Sequence, residues 1–177
     1  MEPALCDFAT PEAERWRPMD DVIMGGVSRS QFRISAEGTG VFEGFVSLSN
    51  NGGFASVRAA LDPRDLSAYS GLDIRVRGDG RRYRLRLFTD PGFDAVAYQT
   101  GFDSTPDTWT EIFLPFESFA ASYRGRCPPD APPLDAGKIA QAGIMIADRQ
   151  SGAFRLEIAW IRPGDPGPSA KLGRSLT

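Results

Sequence analysis

The side chains in this sequence best equipped for chemistry are its arginines. Lys138 and Lys171 are the only lysines among 20 basic residues, so nearly all positive charge sits on planar guanidinium groups able to fork onto carboxylate or phosphate. Leu72, Ile74 and Val76 alternate with Asp73, Arg75 and Arg77; after Gly78-Asp79-Gly80, Tyr83, Leu85 and Leu87 alternate with Arg82, Arg84 and Arg86. A period of two sends alternate residues to opposite faces of a strand, and the glycine-flanked turn reads as a hairpin loop. On that reading Arg75, Arg77, Arg82, Arg84 and Arg86 share one face, with Arg155 a candidate from a third strand. Such a face suits an acidic sugar, a carboxylate or a phosphate. Its plain alternative is a solvated sheet surface balanced by Asp73 and Glu157.

Other chemistry is narrowed by what is missing. The chain contains no histidine, which removes Ser-His-Asp and Cys-His activation and the commonest ligand for zinc, iron and copper. Cys6 and Cys127 are the only cysteines and lack CxxC spacing, so neither a zinc site nor a redox pair is expected. Carboxylates are plentiful, at Asp20, Asp21, Asp90, Asp94, Asp103, Asp107 and Asp148, yet no spacing singles out an acid and base pair. The run Asp90-Pro91-Gly92-Phe93-Asp94 departs from a calcium loop and reads as a turn. These observations point to a binding module without catalytic residues, metal or cofactor.

Composition describes the elements that must position these groups. The 177 residues are 41% hydrophobic and 24% charged, enough apolar material for one folded domain. With 19 Gly and 14 Pro, the chain favours short strands joined by turns over helices. Further strands are expected around Phe42, Gly44, Val46 and Leu48, around Ile112 and Leu114, and where Phe154, Leu156, Ile158 and Trp160 alternate with Arg155 and Glu157. The segment Gly143 to Ala147 lacks alternation and reads as a strand buried on both faces; Val96 to Gln99 is a weaker strand. Short helical turns are expected at 63–67 and 116–120, and the proline-rich 126–133 segment is a surface connection. Residues 1–162 are read as one β-sandwich domain and 163–177 as a disordered tail rich in Pro, Gly and Ser.

Net charge is -3, so no global field draws the chain to nucleic acid or anionic lipid. No signal peptide or membrane-length apolar run is present, which gives the expectation of a cytoplasmic protein without membrane insertion. Most aromatics fit inward strand positions. Phe93, Tyr98 and Phe102 fall instead in the 89–108 connection, where exposed rings would serve as a sugar platform or protein anchor.

The densest motif pair lies near the N-terminus: Asp20-Asp21-Val22-Ile23-Met24-Gly25-Gly26-Val27-Ser28, then Asn50-Asn51-Gly52-Gly53-Phe54-Ala55-Ser56-Val57-Arg58. Paired glycines beside small polar side chains permit positive φ and close backbone approach, for a tight corner or a ligand. Neither run has P-loop or dinucleotide-loop spacing. Trp16, these two runs, Gly40-x-Phe42-x-Gly44, Trp109 to Ile112 with Leu114 to Phe116, and Gly143 to Ile146 together resemble the complex I intermediate-associated protein 30 family, from about Trp16 to Ile161. The resemblance implies an all-β, galactose-binding-like jelly-roll sandwich of two antiparallel sheets. It also implies a module that assists assembly of a larger respiratory or photosynthetic complex, whose subunits would be its partners. The rival expectation is a carbohydrate or small-anion module using Arg75, Arg77, Arg84, Arg86 and Arg155 with Asn50, Asn51, Phe93, Tyr98 and Phe102. The motif residues Asp21, Met24, Gly25, Gly26, Ser28, Gly52, Gly53, Phe54 and Arg58 serve either structure or function.

Overall fold

In the computed structural model the described residues are 5–9, 15–19, 28–49, 53–92, 95–124 and 126–165. They form twelve strands: β1 (Cys6–Asp7), β2 (Arg17–Pro18), β3 (Arg29–Ile34), β4 (Gly40–Val46), β5 (Ala55–Arg64), β6 (Gly71–Arg77), β7 (Arg82–Phe88), β8 (Ala97–Asp103), β9 (Trp109–Pro115), β10 (Ala120–Ser122), β11 (Ile139–Ile146) and β12 (Gly152–Gly164). The first sheet runs in the order β3-β4-β12-β6-β9, with β1 also on β12; the second runs β10-β8-β7-β11-β5-β2. All pairings between these strands are antiparallel. This is the expected jelly-roll sandwich of two antiparallel sheets.

Alternation built most of it. Leu72, Ile74 and Val76 of β6 face Tyr83, Leu85 and Leu87 of β7 across one core, joined by Phe42, Phe154, Leu156 and Ile158. Burying each such aliphatic side chain stabilises the fold by roughly 2 kcal/mol before ordering entropy is counted. Every residue of β11 is buried, as its unalternated sequence indicates, because it lies inside the second sheet between β7 and β5. Phe8, Trp16 and Phe32 close one end, with ring centroids 5.5 to 5.6 Å apart.

The expected hairpin does not form. β6 pairs with β12 and β9, whereas β7 pairs with β11 and β8, so the Gly78 to Arg81 connection crosses from one sheet to the other. Asp79 fixes that crossing. Its carboxylate accepts from the Tyr83 hydroxyl at 3.0 Å through both oxygens, from Arg81 N at 3.0 Å and from Arg155 N at 2.8 Å. A Cβ on Gly78 would lie 2.2 Å from Ser104 Cβ, so only glycine allows the chain to pass there.

Other expectations change for local reasons. A register shift between Ile158 and Trp160 flips the end of β12, so Ile161 takes the core position and Trp160 turns outward. β12 continues through Pro163 and Gly164, two residues assigned to the tail; residues 166–177 lie outside the described residues. The 63–67 turn is not helical, since β5 extends to Arg64, while a single 3-10 turn occupies Phe116–Ser118. Within the connection after β7, residues 97–103 form β8, a full strand where a weak one at 96–99 was expected. The proline-rich segment lies largely at the surface and is tied down by the Tyr98 hydroxyl, which donates to Pro132 O at 2.9 Å. No helix among the described residues is long and apolar enough to cross a membrane.

Candidate functional site

Because the two arginine strands belong to different sheets, the expected single arginine face becomes two faces on opposite sides of the molecule. Arg75, Arg77 and Arg155 lie on the outer face of the first sheet; Arg82, Arg84 and Arg86 lie on that of the second.

On the first sheet the arginines are absorbed into a ladder of alternating charge. Arg33 meets Glu43 at 3.2 Å, Glu43 meets Arg155 at 3.6 Å, Arg155 meets Glu157 at 3.3 Å and Glu157 meets Arg77 at 2.8 Å, crossing β3, β4, β12 and β6. Burial opposes ionisation of Glu43, but hydrogen bonds from Gln31 and Arg33 and the charges of Arg33 and Arg155 outweigh it and lower its pKa. The Glu157 side chain is only 5% exposed and also accepts from Thr39 Oγ1 at 3.2 Å. Arg75 pairs with Glu111 at 3.2 Å, and Arg75 and Arg77 lie 5.3 and 5.0 Å from the centroid of Trp109. Arg162 covers outward-turned Trp160 at 4.0 Å. This face is a self-satisfied network.

The second sheet differs. Arg82 pairs with Asp103 at 3.1 Å, and Arg84 pairs with Asp148, which the turn after β11 holds at φ 60°. No carboxylate among the described residues pairs with Arg86, whose Nε donates to the neutral Gln99 Oε1 at 3.1 Å. Across the strands, Arg86 on β7, Gly143 on β11, Arg58 on β5 and Arg17 on β2 stand in one row. The guanidiniums of Arg58 and Arg86 both lie over the buried Phe88 ring, 4.0 and 5.5 Å from its centroid. Burial, together with the charges of Arg58 and Arg84, lowers the Arg86 pKa to about 10; burial lowers that of Arg58 as well.

Several expected site residues are placed elsewhere. Tyr98 and Phe102, at 5% and 3% exposure, are core residues of β8 and not surface platforms. Asn50, Asn51 and Phe93 lie outside the described residues, as do Asp21, Met24, Gly25, Gly26 and Gly52. Ser28 is buried; its hydroxyl accepts from Ser47 N at 2.9 Å and donates to Ser47 O at 3.3 Å, a structural clasp between the chain entering β3 and the exit of β4. Gly53 has φ 135°, a conformation favouring glycine, and with Phe54 leads into β5. Among the carboxylates, Asp103 and Asp148 are ion-paired and Asp90 accepts from Gly92 N at 2.7 Å, a turn bond. No group of three or more Cys, Asp or Glu among the described residues is placed to hold a metal. Glu157 balances the arginines as its strand position suggests, whereas the role of Asp79 went unrecognised because it depends on which strands become neighbours.

Two antiparallel sheets in this order define a jelly-roll β-sandwich. A family 11 carbohydrate-binding module from Clostridium thermocellum, in complex with a β-1,3-1,4-mixed-linked tetrasaccharide, superposes with TM-score 0.68 at 18% identity, over 93% of this chain and 96% of that one. An agarase superposes at TM-score 0.59 and 12% identity, over 93% of this chain and 25% of its own. Such low identities show the fold alone. The chain belongs to the Complex I intermediate-associated protein 30 family, whose pattern it matches over residues 6–158. Relatives include the mitochondrial Complex I intermediate-associated protein 30 of Drosophila melanogaster, 26% identical over 88% of this chain and 60% of the relative. The Mus musculus protein of the same name is 34% identical over 55% of this chain and 31% of its own length. This chain thus spans less than two thirds of either relative. The expected cytoplasmic location does not stand, because these relatives are named as mitochondrial proteins.

Proposed function

We propose that this chain is a non-catalytic interaction module that assists assembly or stability of a larger protein complex, with respiratory complex I as its nearest analogue. The observation that carries this reading is the family match across 6–158, a span that includes all the strands of both sheets except the last residues of β12. The arginine ladder, engaged in its own ion pairs, supports a scaffold role for the first sheet over ligand capture there. Partner contacts need not be apolar. The exposed large hydrophobics among the described residues are Ile34 and Phe45, at opposite ends of the β3 and β4 pair, and isolated residues of this kind are ordinary.

Affinity capture of the tagged chain from its own cells in mild salt, with mass spectrometry of retained proteins, tests the proposal. Recovery of several subunits of one complex is the expected result. A capture that yields no subunit set, repeated after mild crosslinking, would contradict it.

A further inference from the structure

We propose that the free edge of β9 takes one extended, basic segment of a partner protein as an added strand of the first sheet. The inference deepens the assembly reading, on which it rests, by naming the contact that would hold a subunit.

Backbone pairing comes first. β9 stands at the end of the first sheet and, among the described residues, pairs only with β6. Phe116 N donates to Ser70 O at 2.9 Å, and bonding alternates along an antiparallel ladder, so Thr110, Ile112 and Leu114 turn their backbone groups to β6. The N–H and C=O groups of Glu111 and Phe113 therefore point away from the sheet. Among the described edges none offers as much. β10 has three residues, β2 has two with Pro18 among them, and β3 carries Arg29 and Arg33; shortness, proline and charge are devices that keep edges from pairing. β9 runs for seven residues, Trp109-Thr110-Glu111-Ile112-Phe113-Leu114-Pro115, with one charge. Ile112 packs against the core yet stays partly exposed, since no described strand covers its far side. An added strand supplies both the main-chain partners and that cover.

Charge selects the occupant. The ladder of alternating charge across the first sheet stops at β6. Beyond it Arg75 meets Glu111, whose side chain is still 58% exposed. Asp73, the Cα partner of Phe113, has no ion pair among the described residues. Burial first, then the negative charges of Glu111 and Asp165, raise its pKa. Arg162, its Cα partner on β12, is turned onto Trp160. Asp73, Glu111 and Asp165 thus outnumber Arg75 at this margin, and lysine or arginine on the outer face of an added strand offsets them. A second copy of this chain would set Asp73 and Glu111 against their own kind, which disfavours an edge-to-edge dimer.

The test adds a blocked peptide of about eight residues, alternating lysine and valine, to the intact chain at neutral pH and low salt, with amide shifts and hydrogen exchange followed by NMR. The expected result is saturable change centred on residues 109–115, with slowed exchange of the Glu111 and Phe113 amides and none at residues 29–34 of β3. Glutamate in place of lysine should weaken binding about tenfold or more, and Glu111→Gln should weaken the lysine peptide about threefold. N-methylation of every second peptide amide should abolish binding for one set of positions and spare it for the other, because a strand turns alternate amides to its neighbour. No saturable change at β9, equal binding by the glutamate peptide, or equal behaviour of the two methylated forms overturns the edge site. So does a dimer that slows Glu111 and Phe113 exchange without peptide, since it names a second copy as the occupant. The peptide series uses the wild-type chain and decides the matter even if Glu111→Gln does not fold. A chain that binds no peptide yet supports complex assembly in cells loses the edge site and keeps the assembly role; the reverse result keeps the edge site alone.

Discussion

Glu157 carries more of the fold than its position in a repeating strand pattern indicates. It accepts from Arg77, Arg155 and Thr39 while almost wholly removed from solvent. Glu157→Ala removes the carboxylate paired with Arg77, one of the two paired with Arg155 and an acceptor of Thr39, and urea denaturation should show a loss of about 2 kcal/mol. Asp79→Ala should cost a similar amount, about 2 kcal/mol, because the buried Tyr83 hydroxyl loses its acceptor. The proximity of Asp79 and burial both resist Tyr83 ionisation, burial the more strongly. A double-mutant cycle with Tyr83→Phe should return a coupling of about 1 kcal/mol, and a cycle showing strict additivity would refute the hydrogen bond's role. Glu43 brings a pH dependence. Its folded pKa lies below the ordinary 4.5, so its contribution is present above that value and fades as pH falls through the folded pKa. Glu43→Gln should therefore lose less stability than wild type on acidification below pH 4.5, measured by denaturant midpoints across the range.

At the level of strands, edge strand β3 depends on close backbone contact. A Cβ at Gly44 would stand 2.0 Å from Arg29 O and 2.7 Å from Ser30 Cα. Gly44→Ala should destabilise the chain by about 3 kcal/mol or release β3, visible as lost amide protection in residues 29–34. The alternation that places Leu72, Ile74 and Val76 or Tyr83, Leu85 and Leu87 inward was legible in the sequence, since period two is a local property. Pairing was not. Gly78-Asp79-Gly80 has the composition of a hairpin turn, and the long-range bond from Arg155 N to Asp79, beside the local one from Tyr83, holds it as a crossing between sheets. Trp160 shows the same limit: one register shift in β12 reverses its face, and no residue in the sequence marks it. Tyr98 and Phe102 were misplaced because β8 contains Gln99, Thr100 and Gly101, which dilute its strand signal.

For the whole molecule, the two outer faces divide what the sequence presents as one arginine-rich surface. The first sheet's face is closed upon itself by alternating charges, while on the second sheet's face Arg58 and Arg86 share the Phe88 ring and no carboxylate among the described residues pairs with Arg86. The sandwich was legible because strand number, turns and family motifs agree. The candidate site was legible only as residue types, since Arg58 belongs to the Asn50 to Arg58 motif and Arg86 to a strand 28 positions later, and their meeting depends on β11 lying between them. The central claim is an assembly role, and the most direct measurement compares native-gel profiles of protein complexes in cells with and without the gene for this chain. The account predicts that one multi-subunit complex declines while its smaller precursors accumulate, with recovery when the wild-type chain is restored. Identical profiles in the two cell populations would contradict it.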